Sequence, residues 1–455
     1  MDDADLAFAG ATRHAELIAA GELTSRQLTE LFLDRIARLD PLLNAYRVVF
    51  REQALAQADA ADAGGEGPLN GVPIAIKDDL HVAGEVTAYG CDADPQPQPV
   101  HSEVVARLRA AGAVILGKTH VPELMATPFT ESPTFGVTRN PWDPHRTSGG
   151  SSGGSATAVA AGLASAALGS DGAGSIRIPA ACTHLFGLKP QRGRVPSAPD
   201  TDAHQGMAVF GPLTRTVADA GRIMDVIADG GPSLAEAAAA EPGRLRVAIS
   251  TGLPPIGVSP DAEQLEAVAY AAAVLRELGH DVHEREFDWG LTMGNRILTR
   301  FVRGIGDMAV EIGHRDRLSR RARGLARLGV AIPPQAARAA AAQAAADAER
   351  MNRIFDHADV VLTPMFTRRP PRVREYDGRG GARTLLSMTR LAPYNAAFNH
   401  TGQPAVSVPA GFTRDRFPRA VQLVAPPDGE ARLVSLAAQI EKVTEWPAER
   451  PMVAA

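Results

Sequence analysis

Residues 148–190, SGGSSGGSATAVAAGLASAALGSDGAGSIRIPAACTHLFGLKP, constrain this chain more than any other stretch. Two glycine-serine turns, 149–155 and 169–175, flank an apolar run from Ala156 to Ala167 that reads as a helix. Glycine lets a backbone approach a neighbour closely or adopt positive φ. Each turn precedes a segment able to start a helix, and a helix N-terminus leaves N–H groups unpaired. Two such turns that converge would bring hydroxyls and N–H donors to one point, as acyl transfer requires. The stretch does not read as a flexible linker, because it carries Ile176, Ile178 and the charges of Asp171 and Arg177 among apolar neighbours.

The rest of the chain sets bounds on function. Its 455 residues suffice for a large core. The net charge of −5 and the lack of a long basic stripe argue against nucleic acid; the Arg-rich 315–327 reads as a solvated helix face. Only Cys91 and Cys182 occur, so neither a disulfide framework nor a metal cluster is expected. No apolar run of about 18 residues predicts a membrane span, and the acidic start MDDADLAFAG does not resemble a secretory signal. A cytoplasmic enzyme without cofactor or metal is the expectation.

Strands and helices alternate. Helices are predicted over 5–20, 25–39 (with a capping box at Thr24 and Gln27), 51–63, 101–111, 261–278 and 430–442, with a long helical zone over 290–356. Strands are predicted at 43–49, 71–77, 113–116, 246–250, 280–287, 359–363, 405–409 and 420–424. The alternation argues α/β architecture around a large sheet. Residues 112–119, GAVILGKT, match the P-loop pattern, but the four positions that should form a phosphate loop are Ala-Val-Ile-Leu, themselves a strand. ATP is therefore not predicted, and no dinucleotide fingerprint follows a strand.

A serine nucleophile needs a base. Lys77 closes the apolar strand GVPIAIK, and His145 and His184 lie near the serine turns in sequence. A strand-end lysine can simply snorkel to water, or, once desolvated, act as a neutral amine. Residue chemistry alone leaves Ser–His–Asp and Ser–Lys arrangements both open.

The segments GVPIAIKDD (71–79), GGSSGGSA (149–156), SDGAGSIRIPA (170–180), FGLKP (186–190), GPLTRTVADA (211–220) and TGQPAVSVPAGF (401–412) closely resemble, in order, the motifs of the amidase signature family. The similarity spans nearly the whole chain and is weakest over 290–390. The resemblance implies one domain, an α/β/α sandwich with a large mixed sheet, comprising an N-terminal helical segment (1–65), a core carrying the motifs (66–230) and a variable specificity segment (290–390). It implies a triad of nucleophile Ser175, cis-serine Ser151 and Lys77. An oxyanion hole of the Gly172, Ala173, Gly174 and Ser175 N–H groups is also implied, with Met125 and Ser151 at the substrate and Ser152, Asp171 and Arg177 supporting the turns. The implied reaction cleaves the C–N bond of a small amide, anilide or carbamate, with esters as a side activity, by a monomer or homodimer. Two alternatives are a glutaminase subunit of a tRNA amidotransferase and a catalytically silent binding protein. Ala173, where relatives often carry glycine, and His184, where they often carry a small residue, depart from the family pattern. The aperiodic, Arg/Pro/Gly-rich 366–383 is expected to be a mobile lid.

Overall fold

The computed structural model describes residues 2–92, 95–253 and 257–454. Its strands are β1 (Tyr46–Val49), β2 (Pro73–Lys77), β3 (Val114–Thr119), β4 (Glu131–Ser132), β5 (Gly136–Val137), β6 (Ala166–Asp171), β7 (Phe186–Lys189), β8 (Val209–Thr214), β9 (Arg246–Ile249), β10 (Asp281–Glu284), β11 (Val360–Pro364), β12 (Ala405–Phe412) and β13 (Pro418–Val424). Eleven of these form one mixed sheet in the order β1-β3-β2-β6-β8-β7-β12-β13-β11-β9-β10; β4 and β5 pair separately. Within it, β2 runs parallel to both β3 and β6, whereas β8, β7, β12 and β13 pair antiparallel.

Alternation along the central strands explains why helices cover both faces. Ile74 and Ile76 of β2 join one apolar core with Ile115, Ala166 and Leu168. Ala75 turns to a second core with Val114, Leu116, Ala167 and the helix Gly153–Ala160. Strands buried on both faces read as continuous apolar runs, as PIAI and AVIL do. Lys77 falls on the Ala75 face, toward the helix that follows the first glycine-serine turn. The P-loop look-alike is indeed β3.

The Thr24–Gln27 capping box is present, opening a helix over Ser25–Leu43. One expectation fails inside the constraining stretch. Ala156–Ala167 is not a single helix: helix Gly153–Ala160 ends in a turn in which Leu163 N–H bonds Ala158 O at 2.8 Å and Gly162 N–H bonds Val159 O at 3.1 Å. Ala166 and Ala167 then start β6. Alanine suits a helix, so composition hid the turn, and sheet pairing with β2 and β8 decided the strand.

Residues 366–380 have no helix or strand, as predicted, and Gly381–Arg383 open the helix Gly381–Leu391; the position of the segment differs from that of a lid. Thr147 N–H bonds Pro371 O, Val373 N–H bonds His145 O and Arg374 N–H bonds Glu131 Oε1. Tyr376, 2% exposed, stacks on Phe129 at 4.9 Å. None of these residues lines the cavity beside Ser175, which draws instead on helices Met293–Ile312 and Gly381–Leu391. Burying Tyr376 beside Phe129 and Met388 and pairing the backbone anchor the segment behind the wall of that cavity.

Candidate active site

Parallel β2 and β6 end side by side, and the site lies beyond their carboxyl ends, where open α/β sheets place ligands. Lys77 is the last residue of β2 and is fully buried. Its Nζ donates to Ser151 Oγ at 2.8 Å, Ser170 Oγ at 2.6 Å and Ser170 O at 3.3 Å, and lies 3.2 Å from Asp79 Oδ2. Burial lowers its proton affinity below that of an ordinary lysine, against the opposing pull of Asp79 and, further off, Asp171.

Ser151 is presented by a turn whose Gly150–Ser151 peptide is cis. This turn presses against the chain at 127–129. A Cβ on Gly150 would stand 2.7 Å from both Phe129 N and Thr127 O, so only glycine fits. Thr130 Oγ1 fixes the turn by donating to Gly149 O at 2.9 Å. The two glycine-serine turns do converge: Ser152 N–H bonds Ser175 O at 3.2 Å, and Ser152 Oγ bonds Ser170 O at 3.2 Å.

The second turn folds around Asp171. Its carboxylate accepts from Gly174 N–H at 2.6 Å and Ile176 N–H at 3.2 Å, and pairs with Arg177 through Nε at 2.9 Å and Nη2 at 3.0 Å. Both side chains are wholly buried. Burial alone would raise the Asp171 proton affinity, but Arg177, Lys189 and Asn399 outweigh it and hold the carboxyl well below its usual range. Arg177 also reaches Gln422 Oε1 at 2.6 Å, Asn399 Oδ1 at 2.6 Å and Asn395 O at 3.1 Å, tying the turn to the C-terminal third of the chain.

This geometry corrects the expected oxyanion hole. Gly174 N–H points to Asp171 and is already spent, so Gly174 is no free donor. Its φ of +115° and the proximity of Asn395 and Ile178 give it a backbone role instead. Among the described residues, no acceptor engages the N–H groups of Gly172, Ala173 or Ser175. Ala173 and Ser175 line an apolar cavity of ≈ 190 Å³, together with Met125, Ile178, Phe301 and Met388. Met125 and its predecessor Leu124 both sit at positive φ, 47° and 58°. Among the described residues, Met125 alone also lines a second cavity, which reaches Asp79 and Ser170.

The two histidines near the serine turns in sequence play no part in this network. His145 is exposed. His184 is buried between Phe412, stacked at 4.2 Å, and Trp142, with neither ring nitrogen bonded, and burial drops its proton affinity to about 3. That packing accounts for the bulky residue at 184. Sequence reasoning missed Asp79, Ser170, Asn395, Asn399 and Gln422. Asp79 and Ser170 lay inside quoted motifs, and Asp79 follows Lys77 by two residues. The three amides come from distant elements, and no spacing connects them to Arg177. Among the described residues, no three His, Cys, Asp or Glu side chains group as metal ligands.

The chain is similar over its whole length to proteins already known. AmiB2 of Mycobacterium tuberculosis is 51% identical over 461 residues, spanning all of both chains. The solved 6-aminohexanoate cyclic dimer hydrolase in complex with substrate superposes with a TM-score of 0.90 at 30% identity, covering 99% of this chain and all of that one. A bacterial aryl acylamidase of the amidase signature enzymes superposes with a TM-score of 0.85 at 25% identity over 97% and 99% of the two chains. The model of the Amidase family matches residues 27–434, and the chain belongs to that family of amidases.

Proposed function

We propose that the chain hydrolyses the C–N bond of a carboxylic amide through a seryl acyl-enzyme, with Ser175 as nucleophile, Ser151 as proton relay and Lys77 as base. The observation that carries this reading is the 2.8 Å contact between a fully buried lysine and Ser151, on a turn bonded to that of Ser175. Neutral Lys77 takes the Ser151 proton as Ser151 takes that of Ser175. Ser175 Oγ attacks the carbonyl carbon, and the oxyanion collects the free N–H groups of Gly172, Ala173 and Ser175. The relay runs backward to protonate the nitrogen as the C–N bond breaks. Water, deprotonated by the same relay, then cleaves the ester.

The cavity beside Ser175 is lined by apolar and neutral side chains, with no charged residue among them. An aliphatic or aromatic acyl group suits it, and the charged α-carboxylate of glutamine does not, which disfavours the glutaminase alternative. Amides and anilides are the proposed substrates; carbamates and esters share the route. The relatives also include an enzyme acting on a cyclic amide, which adds lactams to the panel.

Purified wild type, Ser175→Ala and Lys77→Ala should be assayed on hexanamide, hexananilide, matched carbamates and a lactam. Loss of all turnover in Ser175→Ala and a drop of about 10²–10⁴-fold in Lys77→Ala are expected. Lys77→Ala turning over at the wild-type rate would refute the base. Wild type unlabelled by a fluorophosphonate would refute the nucleophile.

A further inference from the structure

The helix Met293–Ile312 shows two faces to its surroundings. Ile297, Leu298 and Phe301 line the apolar cavity beside Ser175. Arg296 and Arg300, one turn apart, reach other elements instead, and Arg300 is only 3% exposed. The Arg300 guanidinium clasps two turns at once: Nη2 donates to Gln205 O at 2.6 Å, and Nη1 donates to His400 Nδ1 at 2.9 Å. His400 is wholly buried, and its Nε2 lies 3.0 Å from Asp347 Oδ2. Asp347, also wholly buried, accepts from Arg296 Nη1 at 2.8 Å and Arg350 Nη2 at 2.5 Å.

The geometry fixes the state of His400. A guanidinium can only donate, so Nδ1 accepts, and Nε2 carries the proton that Asp347 receives. Burial outweighs the pull of Asp347 and drops the proton affinity of His400 to about 4, which leaves the ring neutral. Both turns held by Arg300 touch the catalytic turn. His204, next to Gln205, packs on Gly172, where a Cβ would stand 3.2 Å from its Cδ2, and stacks on Phe301 at 5.8 Å. Asn399, next to His400, donates to Asp171 O at 2.6 Å and Asp171 Oδ1 at 2.9 Å. One side chain thus joins the wall of the apolar cavity to the Asp171–Gly172 start of the turn that carries Ser175. Filling this volume does not call for charge, since apolar replacements of buried ion pairs often leave stability unchanged. The Asp171–Arg177 pair already holds the turn itself, so what the Arg300 network adds is the registration of the helix against it.

We infer that Arg300, seated on His400, is a positioning residue for acyl-chain recognition: it holds the cavity wall in register with the Asp171 turn, so that a filled cavity raises kcat and does not merely lower KM. The inference rests on the proposed hydrolysis at Ser175, with the acyl group in the apolar cavity. An acyl chain braced against Ile297 and Phe301 has its carbonyl carbon set by where that helix stands relative to Ser175. A displacement of about 1 Å between reacting groups can cost about 10²-fold in rate. Acetyl offers a single methyl group to the wall, so its rate depends least on the helix, whereas hexanoyl offers a chain.

The test compares hexananilide with acetanilide, which share the leaving aniline, in wild type, Arg300→Met, His400→Phe and His400→Asn. The kcat ratio of hexananilide to acetanilide should exceed one in wild type and fall by about tenfold or more in Arg300→Met and His400→Phe. His400→Asn, which keeps an acceptor for Arg300, should retain most of the ratio. A wild-type ratio of one or less, a ratio that both variants leave intact, a loss confined to KM, or His400→Asn as impaired as His400→Phe would overturn the inference. If Arg300→Met does not fold, Arg300→Lys, which keeps the charge and loses the two-pronged clasp, takes its place: its ratio should also fall, and an intact ratio overturns the inference. If neither anilide turns over in wild type, the hydrolysis reading fails, and labelling of Ser175 decides the positioning. There Ser175 Oγ bonds phosphorus and fluoride leaves, so hexyl and methyl phosphonofluoridates compare chains without amide cleavage. A hexyl preference in labelling rate that is lost in Arg300→Met supports the positioning role; an unchanged preference, or no label on wild type, overturns it.

Discussion

Replacing Arg177 by methionine removes the charge that balances Asp171 while keeping much of the volume. The guanidinium donates five side-chain hydrogen bonds, two to Asp171 and one each to Asn395 O, Gln422 Oε1 and Asn399 Oδ1. Both charges are 0% exposed. Removing one partner of a buried pair costs about 3–5 kcal/mol, because the survivor stays buried and uncompensated. Arg177→Met should therefore lose about that much, and Asp171→Asn a comparable amount. The double variant buries neither charge, so its loss should fall short of the summed single losses by about 2 kcal/mol or more. Urea titration followed by tryptophan fluorescence measures all four proteins. The pH dependence has a defined sign. The folded Asp171 carboxyl titrates below the ordinary aspartate range, so its stabilisation is present above that range and drains away as pH falls toward the lower folded value. The gap between wild type and Arg177→Met should thus narrow below about pH 4. Strictly additive single losses, or a gap that stays constant into acid, would refute the account of the turn as held by this pair.

Asp79→Asn should shift the acidic limb of the kcat/KM profile to lower pH, since Asp79 favours the ammonium form of Lys77 and activity needs the amine; a limb that moves up or not at all would contradict the base assignment. Gly174→Ala combines φ +115° with a Cβ 2.8 Å from Asn395 Cβ and Ile178 Cδ1. It should cost about 1–3 kcal/mol of stability and lower kcat more than it changes KM, as measured with a chromogenic anilide. Met388→Ala enlarges the apolar cavity and should move the optimum of a C2–C10 acyl anilide series to longer chains; an unchanged optimum would remove that cavity from the acyl site.

The sheet was legible because apolar runs such as PIAI and AVIL have to be buried on both faces, wherever they sit in the final strand order. The order itself was not, since β2 lies between β3 and β6 through pairings that no local pattern encodes. Lys77 was legible as the end of such a run, but its role as base was legible only through the resemblance to a family. The chain holds four lysines, and Lys77, Lys118 and Lys189 are all buried. Lysine, which can give up its proton, is buried at three of its four positions, alongside buried arginines such as Arg177 and Arg215. Gly174 misled because a glycine in a serine turn suggests a donor, whereas its N–H is turned inward by a carboxylate three residues earlier. The lid expectation misled because composition reports irregular backbone without saying which surface it crosses.

Met125, held at positive φ, is, among the described residues, the single one common to the apolar cavity beside Ser175 and the second cavity that reaches Asp79. Substitutions elsewhere in either lining can therefore reshape one cavity without touching the other. Position 125 is the exception: a change there alters the lining of both cavities at once, so a single codon couples two surfaces that otherwise vary independently.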